Sequence, residues 1–101
     1  MKSFAIPRKV RRVSKLETKS LTARGVKLME ESGELAAEIL RVEGEKSRKG
    51  KSKEQVLCDL HLEAVDCMLM AMDILVHTGA TDKHIREIMK NQLEKWEDKS
   101  R

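Results

Sequence analysis

Two clusters of carboxylates contain the residues of this chain that could do chemistry. Glu31 and Glu34 are three residues apart, and so are Glu63 and Asp66. Residues three apart on a helix lie on one face, one turn from each other. Two such helices packed side by side would bring four carboxylates together, and a cation or bound protons must then offset their repulsion. The spacing therefore predicts a divalent-metal site between two helices.

The two clusters differ in their surroundings. Glu31 and Glu34 lie on the polar arc of an amphipathic segment, where a solvated face is the simpler interpretation, and Lys27 is placed to pair with Glu31. Glu63 lies in a segment that is apolar nearly all round and has no Lys or Arg after Lys53. It needs a partner there, because burying an unpaired charge costs several kcal/mol. The candidate ligands are all oxygen atoms, which favours Mg²⁺, with Mn²⁺ as the alternative, over zinc.

The composition favours an all-helical fold. One Pro and five Gly leave few helix breakers among the 101 residues. One Phe, one Trp and no Tyr mean that aliphatic and Met side chains must supply the core. A domain of this size buries a smaller fraction of its surface than a large one. We therefore expect an all-α bundle of three to four helices whose core is completed by homo-oligomerisation.

The apolar periodicity predicts four helices. They span about residues 12–20, 22–42, 53–77 and 82–97. We expect an irregular basic arm over residues 1–11 and a polar, basic loop over residues 45–52. Ser52 with Gln55 has capping-box order, Thr81 suits an N-cap, and Gly44 and Gly79 suit helix ends. The domain division is a basic N-terminal arm with a short helix at residues 1–20, then an all-α domain at residues 21–101.

Charge and cysteine usage limit the partners and the setting. The net charge is +4 and the surplus lies partly in the first twenty residues, but almost no aromatic residues are interleaved for base stacking, so nucleic acid is disfavoured. Cys58 and Cys67 would lie roughly 13 Å apart on one helix and could not pair, which favours a reducing cytoplasm. No apolar run approaches the roughly 20 residues of a membrane span, so we expect no membrane partner.

Other common site patterns are missing from the sequence. An EF-hand loop and a glycine-rich P-loop are both absent. The three His residues are scattered and form no Ser/His/Asp set. The carboxylate clusters are therefore the main candidates for a site.

Three strings resemble one family, the MazG-like all-α nucleotide pyrophosphohydrolases. They are KLMEESGELAAEIL, LEAVDCMLMAMDIL and KNQLEKWEDKSR, and the resemblance covers about residues 21–98. The family signature is EExxE, a variable gap, then ExxD. It reads here as Glu30-Glu31-x-x-Glu34 and Glu63-x-x-Asp66, with a gap of 28 residues between them.

The resemblance implies a Mg²⁺-dependent hydrolase acting on acid anhydrides. Such enzymes cleave a nucleoside triphosphate between its α- and β-phosphates, giving the monophosphate and pyrophosphate, and assemble as homodimers or homotetramers. The resemblance assigns metal binding and catalysis to Glu31, Glu34, Glu63 and Asp66. It assigns substrate contact to Asn91 and Lys95, with Lys27 as a further candidate. Glu30 or Glu38 would assist as a base or an extra ligand.

Two alternatives remain open at this point. Phosphoribosyl-ATP pyrophosphohydrolase belongs to the same superfamily and has similar length, although its Ser-Tyr-containing N-terminal segment is absent here. A non-enzymatic helical module that binds nucleic acid or protein is the alternative from a different class.

Overall fold

A computed structural model describes residues 3–100, and these form four α-helices and no strand. The helices are α1 (Arg8–Leu16), α2 (Leu21–Val42), α3 (Lys53–His77) and α4 (Asp82–Lys99). The all-α prediction is confirmed for these residues.

α2 and α3 form a helical hairpin, and this pair positions the carboxylates. The connection between them contains no regular element, as predicted. Gly44 follows the end of α2 with a φ of +79°, a left-handed conformation that glycine adopts without steric cost. At the start of α3 the Ser52 hydroxyl accepts from the Gln55 N–H at 3.2 Å, and the Gln55 side chain accepts from the Ser52 N–H at 2.9 Å. The predicted capping box is therefore confirmed.

The first helix differs from its predicted position. It was expected over residues 12–20, but α1 begins at Arg8 and ends at Leu16. Pro7, expected to lie within an irregular arm, occupies the N-cap with a φ of −54°. A fixed φ near this value suits the beginning of a helix and disrupts only its interior, which explains the earlier start. Glu17 has extended backbone and ends the helix.

The buried core lies where the N-terminal arm meets the end of α3 and the beginning of α4. Ile6, Val76 and Ile85 form its centre. The side chains packed around them are Phe4, Val10, Met72, Leu75, Ala80 and Met89. The Ile6 N–H also donates to Asp82 at 3.1 Å, so the arm is bound to α4 by a hydrogen bond as well as by burial.

The rest of the described chain is loosely packed. In α4, residues 90–99 are all exposed, and Met89 just before them is half-buried. Among residues 3–100 only four hydrophobic side chains are buried: Ile6, Val56, Val76 and Ile85. The radius of gyration is 16.2 Å, whereas a compact chain of this length has about 13 Å. No helix in the described part of the chain is long and apolar enough to cross a membrane.

Candidate metal centre

The α2–α3 hairpin brings together three of the four carboxylates in the predicted site. One carboxylate oxygen from each of Glu31, Glu63 and Asp66 lies within 4.8 Å of the other two. Glu31 comes from α2, and the other two come from successive turns of α3. We call these three residues the acidic trio.

The trio contains buried oxygens without partners. Glu31 is 8% exposed. The Oε2 atoms of Glu31 and Glu63 are buried and accept no hydrogen bond within residues 3–100. A buried acceptor without a partner costs about 1–3 kcal/mol. A cation that prefers oxygen ligands would remove that cost for both atoms at once, so the donor set fits Mg²⁺.

The pKa values of two carboxylates in the trio shift in opposite directions. Burial raises the pKa of Glu63 to about 7, and the neighbouring carboxylates of Glu31 and Glu34 add to the rise. The pKa of Glu31 is lowered instead, because the Lys27 ammonium donates to its carboxylate at 3.2 Å. One carboxylate therefore stays ionised while its neighbour retains a proton up to near-neutral pH.

Glu34, the fourth predicted ligand, lies outside the trio. It follows Glu31 by one turn of α2, and its side chain is exposed. Its charge nevertheless contributes to the raised pKa of Glu63.

The other candidate residues have different positions. Lys27 pairs with Glu31 at 3.2 Å and lies 3.8 Å from the exposed Glu30. Glu38 pairs with Arg41 at 2.5 Å, and its second oxygen is buried without a partner in the described part of the chain.

The residues of α4 that were predicted to contact the substrate are not joined to the trio. Asn91 and Lys95 are exposed, and no hydrogen bond or ion pair within residues 3–100 joins them to the trio.

A cavity of about 520 Å³ lies between α1, α2 and α3. Its apolar lining comes from Pro7, Val10, Val13, Leu69 and Met70. Its basic lining comes from Lys9, Lys19, Arg24 and Lys27. Lys27 therefore belongs both to the cavity and to the surroundings of the trio. The sequence did not reveal this cavity, because α1 was expected to begin several residues too late to supply its first apolar side chains.

A buried polar network lines the same cavity. The Arg24 side chain is 2% exposed and forms an ion pair with Asp73 of α3. It also donates to the backbone oxygens of Lys19 at 2.9 Å and Glu17 at 3.0 Å. The Ser14 hydroxyl donates to Asp73 at 2.6 Å. Sequence reasoning missed this network, although the position of Asp73 seven residues after Asp66 placed it on the same stripe of α3.

Comparisons with known proteins give no relative to set beside this geometry. No family model, curated protein or solved structure matches the chain.

Proposed function

We propose that this protein is a Mg²⁺-dependent nucleoside triphosphate pyrophosphohydrolase. Water and a nucleoside triphosphate would give the nucleoside monophosphate and pyrophosphate. The observation that carries the proposal is the acidic trio, with its two buried, unpartnered oxygens, beside a cavity with basic residues in its lining. The resemblance of the two carboxylate motifs to the MazG-like signature supports the same reaction.

Glu31, Glu63 and Asp66 would hold the metal, with Glu34 at its exposed side. Mn²⁺ is the alternative ion, since it accepts the same oxygen ligands. When bound, such an ion neutralises phosphate charge and activates the attacking water.

Lys27 and the cavity would orient the substrate. Lys27 is a point charge beside the trio, and a lysine in that position suits a phosphate oxygen. The apolar walls of the cavity would receive the nucleoside, since ligand sites are largely apolar with a few polar groups that fix orientation. Asn91 and Lys95 stay candidates for substrate contact.

The experiment is an assay of pyrophosphate release from a panel of ribo- and deoxyribonucleoside triphosphates with Mg²⁺ or Mn²⁺. We expect release by the wild-type protein and a loss of roughly 100-fold or more in Glu63→Gln, since removing a ligand should cost at least as much as removing an outer-shell partner. Chelation of the metal should abolish release.

Asp59→Asn provides the matched control. Asp59 lies one turn before Glu63 on α3 and pairs with Lys51 at 2.8 Å, outside the trio. It should retain the wild-type rate. Release by no nucleotide, or equal release by Glu63→Gln and the wild type, would refute the proposed activity.

We also propose that the protein works as a homodimer or homotetramer in the cytoplasm. The outer face of α3 presents an apolar row of Leu62, Val65 and Met68 at helical spacing, and all three are exposed in the protomer. Association would bury this row and complete the core.

One observation favours a nucleic-acid-binding module as the second candidate. α1 exposes Arg8, Lys9, Arg12 and Lys15, and none of them forms an ion pair within residues 3–100. Nucleic-acid binding that weakens steeply with salt, and that survives Glu63→Gln, would support this candidate. Adding phosphoribosyl-ATP to the substrate panel tests the related enzyme activity.

A further inference from the structure

The two carboxylate oxygens of Asp73 differ in their hydrogen bonding within residues 3–100. Its Oδ1 atom accepts from the Ser14 hydroxyl at 2.6 Å and from the Arg24 guanidinium. Its Oδ2 atom accepts no hydrogen bond within residues 3–100 and is not closed off from the solvent side. Asp73 lines the 520 Å³ cavity, and a ligand there could donate to this oxygen.

Arg24 fixes the orientation of this carboxylate. Each of its three side-chain nitrogens donates to the protein: one to Asp73, one to the Lys19 carbonyl and one to the Glu17 carbonyl. With a 2% exposed side chain, Arg24 cannot swing away to serve a ligand. The Asp73 carboxylate is therefore a hydrogen-bond acceptor whose position is fixed by Arg24.

The apolar part of the lining suits the faces of a flat ring. Val10, Val13, Leu69 and Met70 line the cavity with aliphatic and thioether groups. Asp73 lies seven residues beyond Asp66 on α3, which is two turns or roughly 10 Å. That separation is on the scale of a nucleoside between the edge of its base and its 5′ oxygen. A substrate with phosphates at the trio would thus direct its base towards Asp73.

We propose that Asp73 makes the cavity selective for cytosine, which carries an amino group at position 4, over uracil, which carries a carbonyl there. The inference rests on the proposed function, because it takes the cavity to be the nucleoside site. A carboxylate only accepts hydrogen bonds. The 4-amino group of cytosine donates, whereas the 4-carbonyl of uracil accepts and would face the carboxylate without a proton between them.

The test compares 2′-deoxycytidine with 2′-deoxyuridine, which differ at this position. Their binding to the metal-free protein is measured by chemical-shift titration of the backbone amides, a readout that needs no catalysis. We expect 2′-deoxycytidine to bind roughly tenfold more tightly or better, with shifts concentrated at Val13, Leu69 and Asp73.

Asp73→Asn should reverse the preference. Arg24 and Ser14 both donate to the inner atom, so the amide must place its oxygen towards them and its NH₂ group towards the ligand. This NH₂ group can donate to the carbonyl of 2′-deoxyuridine, but it cannot form a hydrogen bond with the amino group of 2′-deoxycytidine, which is also a donor. If Asp73 had only a structural role, Asp73→Asn would weaken the binding of both nucleosides to the same extent. The control Asp59→Asn, on the same helix but outside the cavity lining, should keep the wild-type preference.

The wild-type comparison alone can overturn the inference. The inference is overturned if the two nucleosides bind equally, if 2′-deoxyuridine binds more tightly, or if neither binds. This holds even if triphosphates are hydrolysed. The failure of the proposed enzyme is seen separately, as the absence of pyrophosphate release from the same protein. Tighter binding of 2′-deoxycytidine with a reversal in Asp73→Asn supports the assignment.

Discussion

Glu31, Glu34 and Glu63 have the same carboxylate side chain but lie in three different environments. Glu31 is buried against an ammonium group, Glu34 is exposed, and Glu63 has a buried oxygen without a partner. Their pKa behaviour follows from this: the pKa of Glu31 is lowered by Lys27, while burial raises that of Glu63 to about 7. A divalent cation at the trio would favour the ionised form of both.

At the residue scale, the stability of the metal-free protein should depend on Glu63. Its pKa is about 7 in the folded state against an ordinary value of 4.5. Stability from this group is fully present below pH 4.5 and is lost as the pH rises through about 7, because the folded state then loses a proton that it binds more tightly than the unfolded state does. We expect the Tm in EDTA, followed by circular dichroism, to fall between pH 5 and pH 8, and Mg²⁺ at pH 8 to restore it.

Glu63→Gln isolates this contribution, since glutamine does not titrate. The variant should lose the Glu63 part of the pH dependence and most of the Mg²⁺ response. The lowered pKa of Glu31 acts in the opposite direction, but only at acid pH, below the ordinary carboxyl value, so it does not obscure the window from pH 5 to pH 8. Identical pH profiles for the wild type and Glu63→Gln would contradict the prediction.

At the scale of elements, α1 is attached to the hairpin largely through buried polar contacts. Arg24 of α2 holds Asp73 of α3 and the backbone that leaves α1, and Ser14 of α1 joins the same carboxylate. The exposed Val13 and Leu16 show that α1 contributes only part of its apolar surface to packing. The cavity depends on this attachment, because α1 forms one of its walls.

Arg24→Met should therefore destabilise the fold and open the cavity. Removing one partner of a buried ion pair leaves an uncompensated charge and costs about 3–5 kcal/mol. Urea unfolding followed by circular dichroism would measure the free energy of unfolding. Arg12→Met on the exposed side of α1 should change it by no more than about 0.5 kcal/mol. Similar values for the two variants would show that the network contributes little.

At the scale of the whole molecule, the described chain leaves much apolar surface exposed. Its radius of gyration of 16.2 Å exceeds the value of about 13 Å for a compact chain of this length. On α3, Leu62 is 58% exposed and Val65 is 51% exposed. Both observations favour a second copy that packs against α3.

Val65→Lys should shift the protein towards monomer. A lysine in the middle of the apolar row would place a charge in the interface, where burial without a partner costs several kcal/mol. Sedimentation equilibrium would report the change in mass. Leu16→Lys replaces an exposed apolar side chain on α1, outside this row, and should leave the mass of the assembly unchanged. A wild-type protein that remains monomeric at high concentration would contradict the oligomer proposal.

The sequence by itself determined the elements that depend on local interactions. The bounds of α3, the capping box of Ser52 and Gln55, and the glycine ends at Gly44 and Gly79 all follow from side chains within a few residues of each other. Helical spacing likewise indicated that Glu31, Glu63 and Asp66 could meet, because it specifies which side chains share a face.

Only the tertiary structure decided how those faces combine. Helical spacing does not specify how far one helix slides along another, and that offset brings Glu31 into the trio while Glu34 remains exposed. The attachment of α1 depends on contacts between Ser14, Arg24 and Asp73, which are distant in sequence, and it creates a cavity that no local pattern contains. The two carboxylate clusters thus came from sequence, whereas the available oxygen of Asp73 came from packing.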